Sequence, residues 1–170
     1  YNCYNLKNIT LPDTITRIEE CAFENCFHLT KITIPASVTM IGERAFSCCY
    51  VLKDISLSEW IKTIEEGAFR GCSNLENIII PASVTMIGGY AFEDCSNLRS
   101  IIIPASVKSI EIHTFWGCDN LESISIYNDN IDIDEMNILG DREKTRIYAH
   151  EGSTTEKYAK RKGYKFIPLL

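Results

Sequence analysis

Apolar residues along the chain follow two nested periods. In Leu75-Glu-Asn-Ile78-Ile-Ile80 inward positions alternate with outward ones, which predicts a short half-buried strand that Pro81 stops. Val84-Thr-Met-Ile87 predicts a second extended piece, with residues 38–41 and 107–110 in register with it. Glu65-Glu-Gly-Ala68-Phe69 leaves room for one helical or 3-10 turn. The longer period is 23 residues. It repeats Leu6, Leu29, Leu52, Leu75, Leu98 and Leu121, and likewise Phe23, Phe46, Phe69, Phe92 and Phe115. Cys3, Cys26, Cys49, Cys72, Cys95 and Cys118 keep the same step. Three residue types in lockstep mark a repeat architecture, which takes precedence over any single motif.

One such unit cannot bury its own apolar edge. Stacked units can, with strands ~4.8 Å apart in a parallel sheet running along the rod. Pro12, Pro35, Pro81 and Pro104 hold the stop position, whereas Ser58 and Tyr127 replace proline, so those two turns should be less rigid. Residues 1–127 therefore hold about six units, the first truncated. The pattern then decays over residues 128–170. Ile133, Ile138 and Ile147 keep core positions of a degenerate seventh unit, while Asp141 replaces the cysteine and Lys144 the leucine. Ser153-Thr-Thr-Glu156 is a capping-box pattern, Gly163 a candidate C-cap, and Tyr164 to Leu170 an apolar lid or last strand. The fold class expected is an α/β repeat solenoid, a right-handed coil with short parallel strands closed by a terminal helix and strand. The register starts mid-unit at Tyr1, so the chain is expected to be an excerpt, and the strand edge at residues 6–11 to be open to weak homodimer pairing.

The combination L-x-x-I-x-I-P with I-x-x-x-A-F-x-x-C-x-x-L resembles the 23-residue leucine-rich repeat of the BspA-like, or treponemal, class. The ending IYAHEGSTTEKYAKRKGYKFIPLL is similar to the closing segment of bacterial members. That resemblance implies a bacterial surface or secreted protein, extracellular, whose partner is a protein ligand such as host matrix or another cell surface.

Composition narrows the function further. At 45% hydrophobic and 24% charged the chain suits a folded domain, and it has no apolar run of membrane-spanning length. The net charge of −6 divides unevenly: residues 1–141 carry 9 basic and 20 acidic side chains (−11), residues 142–170 carry 8 and 3 (+5). An acidic repeat region argues against nucleic acid as a partner. The basic Lys160, Arg161 and Lys162 are explained by the C-terminal end of a helix dipole.

Candidate chemistry is sparse. The ladder cysteines read as small buried thiols that pack between coils, since a disulfide would pair only alternate coils; the off-register Cys21 and Cys48 are the expected exposed thiols. No C-x2-C pair or paired-histidine spacing exists, and the string from Asn130 through Asp141 has Glu135 where a calcium loop needs glycine at its sixth position, so neither metal nor cofactor is expected. His28 stands where Asn5, Asn74, Asn97 and Asn120 stand, a turn position, and no nucleophile motif accompanies it; the chain is read as non-enzymatic.

What remains is recognition by surface. One outward column holds Asp54, Asn77 and Ser100; the next places Ile79 beside Ile102 on an otherwise polar face. Adjacent exposed apolar residues signal a partner site, or else a surface that the C-terminal segment or a neighbouring chain covers. Trp60 and Trp116 also break their columns, as interaction anchors or, for Trp116, as packing for the cap. The alternative to recognition is a structural spacer within a longer surface protein.

Overall fold

The computed structural model describes residues 2–136 and 139–169; the core position expected at Ile138 lies outside the described residues. The chain winds as a stack of coils. In each coil an alternating stretch forms a first strand, and two residues after the next bend form a second. The elements in chain order are β1 (Arg17–Ile18), β2 (Lys31–Thr33), β3 (Met40–Ile41), β4 (Asp54–Ser56), β5 (Thr63–Ile64) and β6 (Met86–Ile87). β7 (Ser100–Ile103), β8 (Ser109–Ile110), β9 (Ser123–Ile126), β10 (Asp132–Ile133) and β11 (Arg146–Ala149) follow, then α1 (Thr154–Lys162) and β12 (Lys165–Pro168).

All pairing is parallel, and between coils the register is the sequence period itself: Ile18 lies opposite Ile41, Ile41 opposite Ile64, Ile64 opposite Ile87 and Ile87 opposite Ile110. The second strands form one continuous six-stranded sheet, β1-β3-β5-β6-β8-β10. The first strands do not. They form a pair, β2-β4, and a separate sheet β7-β9-β11-β12, with only an isolated bridge from Asn77 to Ser100 between the two groups.

The turn-bearing side of the coil corrects one local expectation. The segment around Phe69 is not a helical turn but a chain of linked β-turns. The N–H groups of Ala68, Arg70 and Cys72 each close a local turn onto the carbonyl three residues back. Those of Gly67, Phe69 and Gly71 cross to Gly89, Ala91 and Glu93 of the next coil, at 2.7–2.9 Å. A helix cannot form here because two positions per coil have left-handed backbone, Gly67 (φ 59°) and Gly71 (φ 71°) in this coil, Arg44 and Cys48 in the preceding one.

The interior is a set of columns. Phe46, Phe69, Phe92 and Phe115 are fully buried and stacked nearly parallel, with centroids 5.4–5.6 Å apart. Beside them runs the cysteine column, and all eight cysteines are thiols. The ladder thiols do more than fill space. Cys49, Cys72, Cys95 and Cys118 each donate from Sγ to the phenylalanine carbonyl of the preceding coil, at 3.1–3.2 Å. Phe46 O thus accepts from Cys49 N and from Cys72 Sγ, which satisfies a carbonyl with no access to water.

The chain closes as its sequence indicates. The Ser153 hydroxyl accepts from Glu156 N, the Glu156 carboxylate accepts from Gly152 N, and Gly163 ends α1 in left-handed conformation. Thr155, Tyr158 and Ala159 bury one face of α1, and β12 adds to β11 in parallel.

Burial pushes the thiols of Cys49 and Cys118 up to about 12 from an ordinary 9.0, and those of Cys72 and Cys95 well above it. A thiol raised in the folded state contributes stability that is complete below the unfolded value and is lost as pH climbs toward the folded one. Urea unfolding midpoints should therefore hold up to pH 9 and fall steeply from there to about 12. Cys95→Ala should lose less over that window than the parent chain, and equal losses would contradict the assignment.

Candidate functional site

The exposed side of the first strands carries the residues that break the repeat. Asp54, Asn77 and Ser100 all point outward, and the Asn77–Ser100 bridge sets Ile79 opposite Ile102 one coil on. Ile79 is 84% exposed and Ile102 57%, while their inward neighbours Ile78, Ile80, Ile101 and Ile103 are buried. The C-terminal segment does not cover them: β12 pairs with β11, on the far side of β9 from β7. In the other repeats this column is polar, at Thr10, Thr33, Ser56 and Ser125, and Tyr148 and Ile167 continue it into the cap. Two neighbouring isoleucines are thus held in water by the backs of strands whose inner faces are fixed in the core.

Trp60 and Trp116 are not part of one site with them. Trp60, 60% exposed, follows the bend after β4, where its N–H donates to the Ser58 hydroxyl. Trp116 sits in the linked turns between β8 and β9, stacked on His113 at 6.1 Å and 45% exposed. It shares a hollow with Gly140 and Asp141 of the degenerate seventh unit.

The same side holds a feature that the repeat pattern does not announce. Between β4 and residues 77–80 the backbone ladder stops, and a cleft of about 560 Å³ opens there, lined in part by Ile55, Leu57, Glu59, Ile79 and Pro81. Leu57 is only half-buried, although Ile34, Ile80, Ile103 and Ile126 in its column are buried.

Polar side chains elsewhere serve the stack. Arg70 pairs with Glu93, whose carboxylate is buried; burial raises its pKa and the guanidinium pulls it back. Lys53 and Glu76 pair at 3.0 Å, again one repeat apart. Both partnerships are visible in the sequence as opposite charges 23 positions apart. His28 Nδ1 contacts the Tyr4 carbonyl at 2.7 Å, which explains a histidine in that turn. Among the described residues no group of three His, Cys, Asp or Glu side chains is placed to hold a metal ion. Nor, among the described residues, is any helix long and apolar enough to cross a membrane.

One expectation about thiols fails. Cys21 is buried, 6% exposed, and burial raises its thiol first, with the nearby Glu24 adding to the effect. Its backbone is left-handed (φ 53°), as is that of Arg44 in the same column, whose side chain is exposed. Cys48, also left-handed, is half-buried in a shallow hollow with Arg44, Tyr50 and Arg70.

Short parallel strands stacked in a 23-residue register define a repeat solenoid. The chain matches the BspA type leucine rich repeat region (6 copies) over residues 1–122 and 52–147, and it belongs to that family. Among solved structures it is similar to a leucine rich cell surface protein of Faecalibacterium prausnitzii, with 39% identity and a TM-score of 0.66 over 68% of this chain and 31% of that one. It is also similar to a leucine-rich repeat protein of Bacteroides ovatus, with 26% identity and a TM-score of 0.58 over 99% of this chain and 56% of that one. A leucine rich repeat protein of T. pallidum shares the fold, with 24% identity and a TM-score of 0.69 over 92% of this chain and 83% of that one. The chain thus spans about a third of the F. prausnitzii protein. No curated protein matches it.

With the thiols distributed in this way, an alkylating reagent applied to the folded chain should modify Cys48 and the exposed Cys3. Cys21, Cys26, Cys49, Cys72, Cys95 and Cys118 should react only in denaturant. Intact-mass analysis reads the difference, and rapid native labelling of Cys72 or Cys95 would contradict the buried ladder.

Proposed function

We propose that this chain is a non-enzymatic recognition module that binds a protein or other surface ligand through its first-strand face, outside a bacterial cell. The observation that carries this reading is the adjacent pair Ile79 and Ile102, exposed in a column that is polar at Thr10, Thr33, Ser56 and Ser125. Burying two isoleucines at an interface would contribute about 1.5–3 kcal/mol each, which is a reason for a partner and not for solvent. The cell-surface setting is supported by the likeness to the F. prausnitzii cell surface protein. Asp54, Asn77 and Ser100 form the polar rim beside the pair, and Trp60 and Trp116 are separate anchors that a large ligand would reach from the side.

The test is capture by immobilised host matrix proteins, measured with the parent chain and with Ile79→Asp/Ile102→Asp. Both side chains lie outside the core, so the double variant should fold normally and bind at least about tenfold more weakly. Unchanged binding would remove the patch from the account. Absence of capture by any extracellular protein would favour the spacer reading.

A further inference from the structure

The interruption of the first-strand sheet has a local cause. Elsewhere in the stack, successive coils exchange backbone bonds on this side: Thr30 N to Lys7 O, Lys53 N to Thr30 O, Arg99 N to Glu76 O and Glu122 N to Arg99 O. The one bond that would continue the series, Glu76 N to Lys53 O, is not made. Among the described residues no backbone hydrogen bond joins residues 54–59 to residues 77–82.

The reason lies at Ser58, where most repeats have proline. Its hydroxyl donates to Ala36 O at 3.3 Å and accepts from Trp60 N at 3.1 Å, and Ser56 O accepts from Ile34 N at 3.0 Å. Every hydrogen bond that this bend makes outside itself runs to the preceding coil, and none to the following one. The gap is closed at both ends. Lys53 pairs with Glu76 at one, and at the other Ser83 Oγ donates to Ile61 O at 2.6 Å and Thr85 N to Lys62 O at 2.9 Å. The result is a slot with fixed ends, with backbone donors and acceptors along its two edges and Ile55, Leu57, Ile79 and Pro81 for walls.

From this geometry we infer that the slot is a peptide-binding site, and that its ligand is an extended segment with an apolar side chain next to a lysine or arginine. An extended chain is the partner whose own N–H and C=O groups match unpaired strand edges. The volume of about 560 Å³ takes the apolar side chain. The basic neighbour follows from charge. Glu59 is the one charged side chain lining the slot, it is exposed, and among the described residues it makes no ion pair. The surrounding repeat region carries 20 acidic against 9 basic side chains. The inference deepens the proposed function, since it rests on the first-strand side being the binding side, and it names the place and the ligand chemistry.

The probe is a fluorescein-labelled hexapeptide of sequence TIKVKT, compared with TIEVET, in anisotropy titrations against the whole chain. The basic peptide should bind at least about tenfold more tightly, and Glu59→Lys should abolish or reverse that preference. Ser58→Pro restores the repeat's own stop residue at a position whose N–H makes no backbone bond. It should close the slot and weaken the basic peptide by about tenfold, while Arg17→Ala, exposed on the second-strand sheet, should leave peptide binding unchanged. Equal binding of the two peptides, or none, overturns the slot. So does retention of full binding in Ser58→Pro, or loss in Arg17→Ala. A parent chain that captures matrix protein but ignores both peptides overturns the slot and leaves the face reading standing. Peptide binding without matrix capture supports the slot and overturns the matrix-protein ligand.

Discussion

Phe69 is covered by Phe46 on one side and Phe92 on the other, and no residue of its own coil could do the same. That dependence of each coil on its two neighbours governs the whole structure. A 23-residue unit buries its apolar edge only against copies of itself, so what is selected at one position must fit the same position one coil away. Identical side chains then stack into columns, and the crossing N–H groups at Gly67, Phe69 and Gly71 hold the columns at a fixed separation. The thiol column extends the same logic to a buried carbonyl. From Phe23 to Phe92 each phenylalanine oxygen of the column takes one bond from its own turn and a second from the thiol of the next coil. A methyl group there would fit but leave the second lone pair empty, and a more polar donor would cost more to bury.

This constraint made much of the fold legible in the sequence. The period set the register, so the pairings Ile41 to Ile64 and Ile64 to Ile87 follow from counting. The capping box at Ser153 and the glycine at residue 163 marked both ends of α1 because each meets a backbone requirement that few residues satisfy. What stayed hidden depended on dihedral angles. Positive φ at Cys21, Arg44, Cys48, Tyr90 and His113 carries little composition signal; in those columns Gly67, Gly71, Gly117 and Gly140, with Asn2, Asn25 and Asp94, are the residues that favour it. The segment around Phe69 has the length of a helical turn without its dihedral angles, and the column of Cys21 does not fix burial, since Arg44 one repeat on is exposed.

The candidate site divides in the same way. Ile79 and Ile102 were visible because alternation assigns them outward, and the fold places them there. The slot beside them was not, although its cause, Ser58, stood out as a break in the proline column. A lost proline reads as a less rigid turn; that the bend would bond only backwards required the positions of Ala36 and Ile34. A repeat protein spends most of its sequence on stacking, and the positions that depart from the column are where a ligand finds something distinctive. On this chain those departures gather on one side between Ser58 and Ile102.

The central claim is that stability resides between coils and not within them. It is tested most directly by urea unfolding of Phe69→Ala, measured against the parent chain. Phe69 is fully buried between two parallel rings, so the account predicts a loss of about 3–5 kcal/mol. A loss below about 1 kcal/mol, the size of an ordinary surface change, would contradict it.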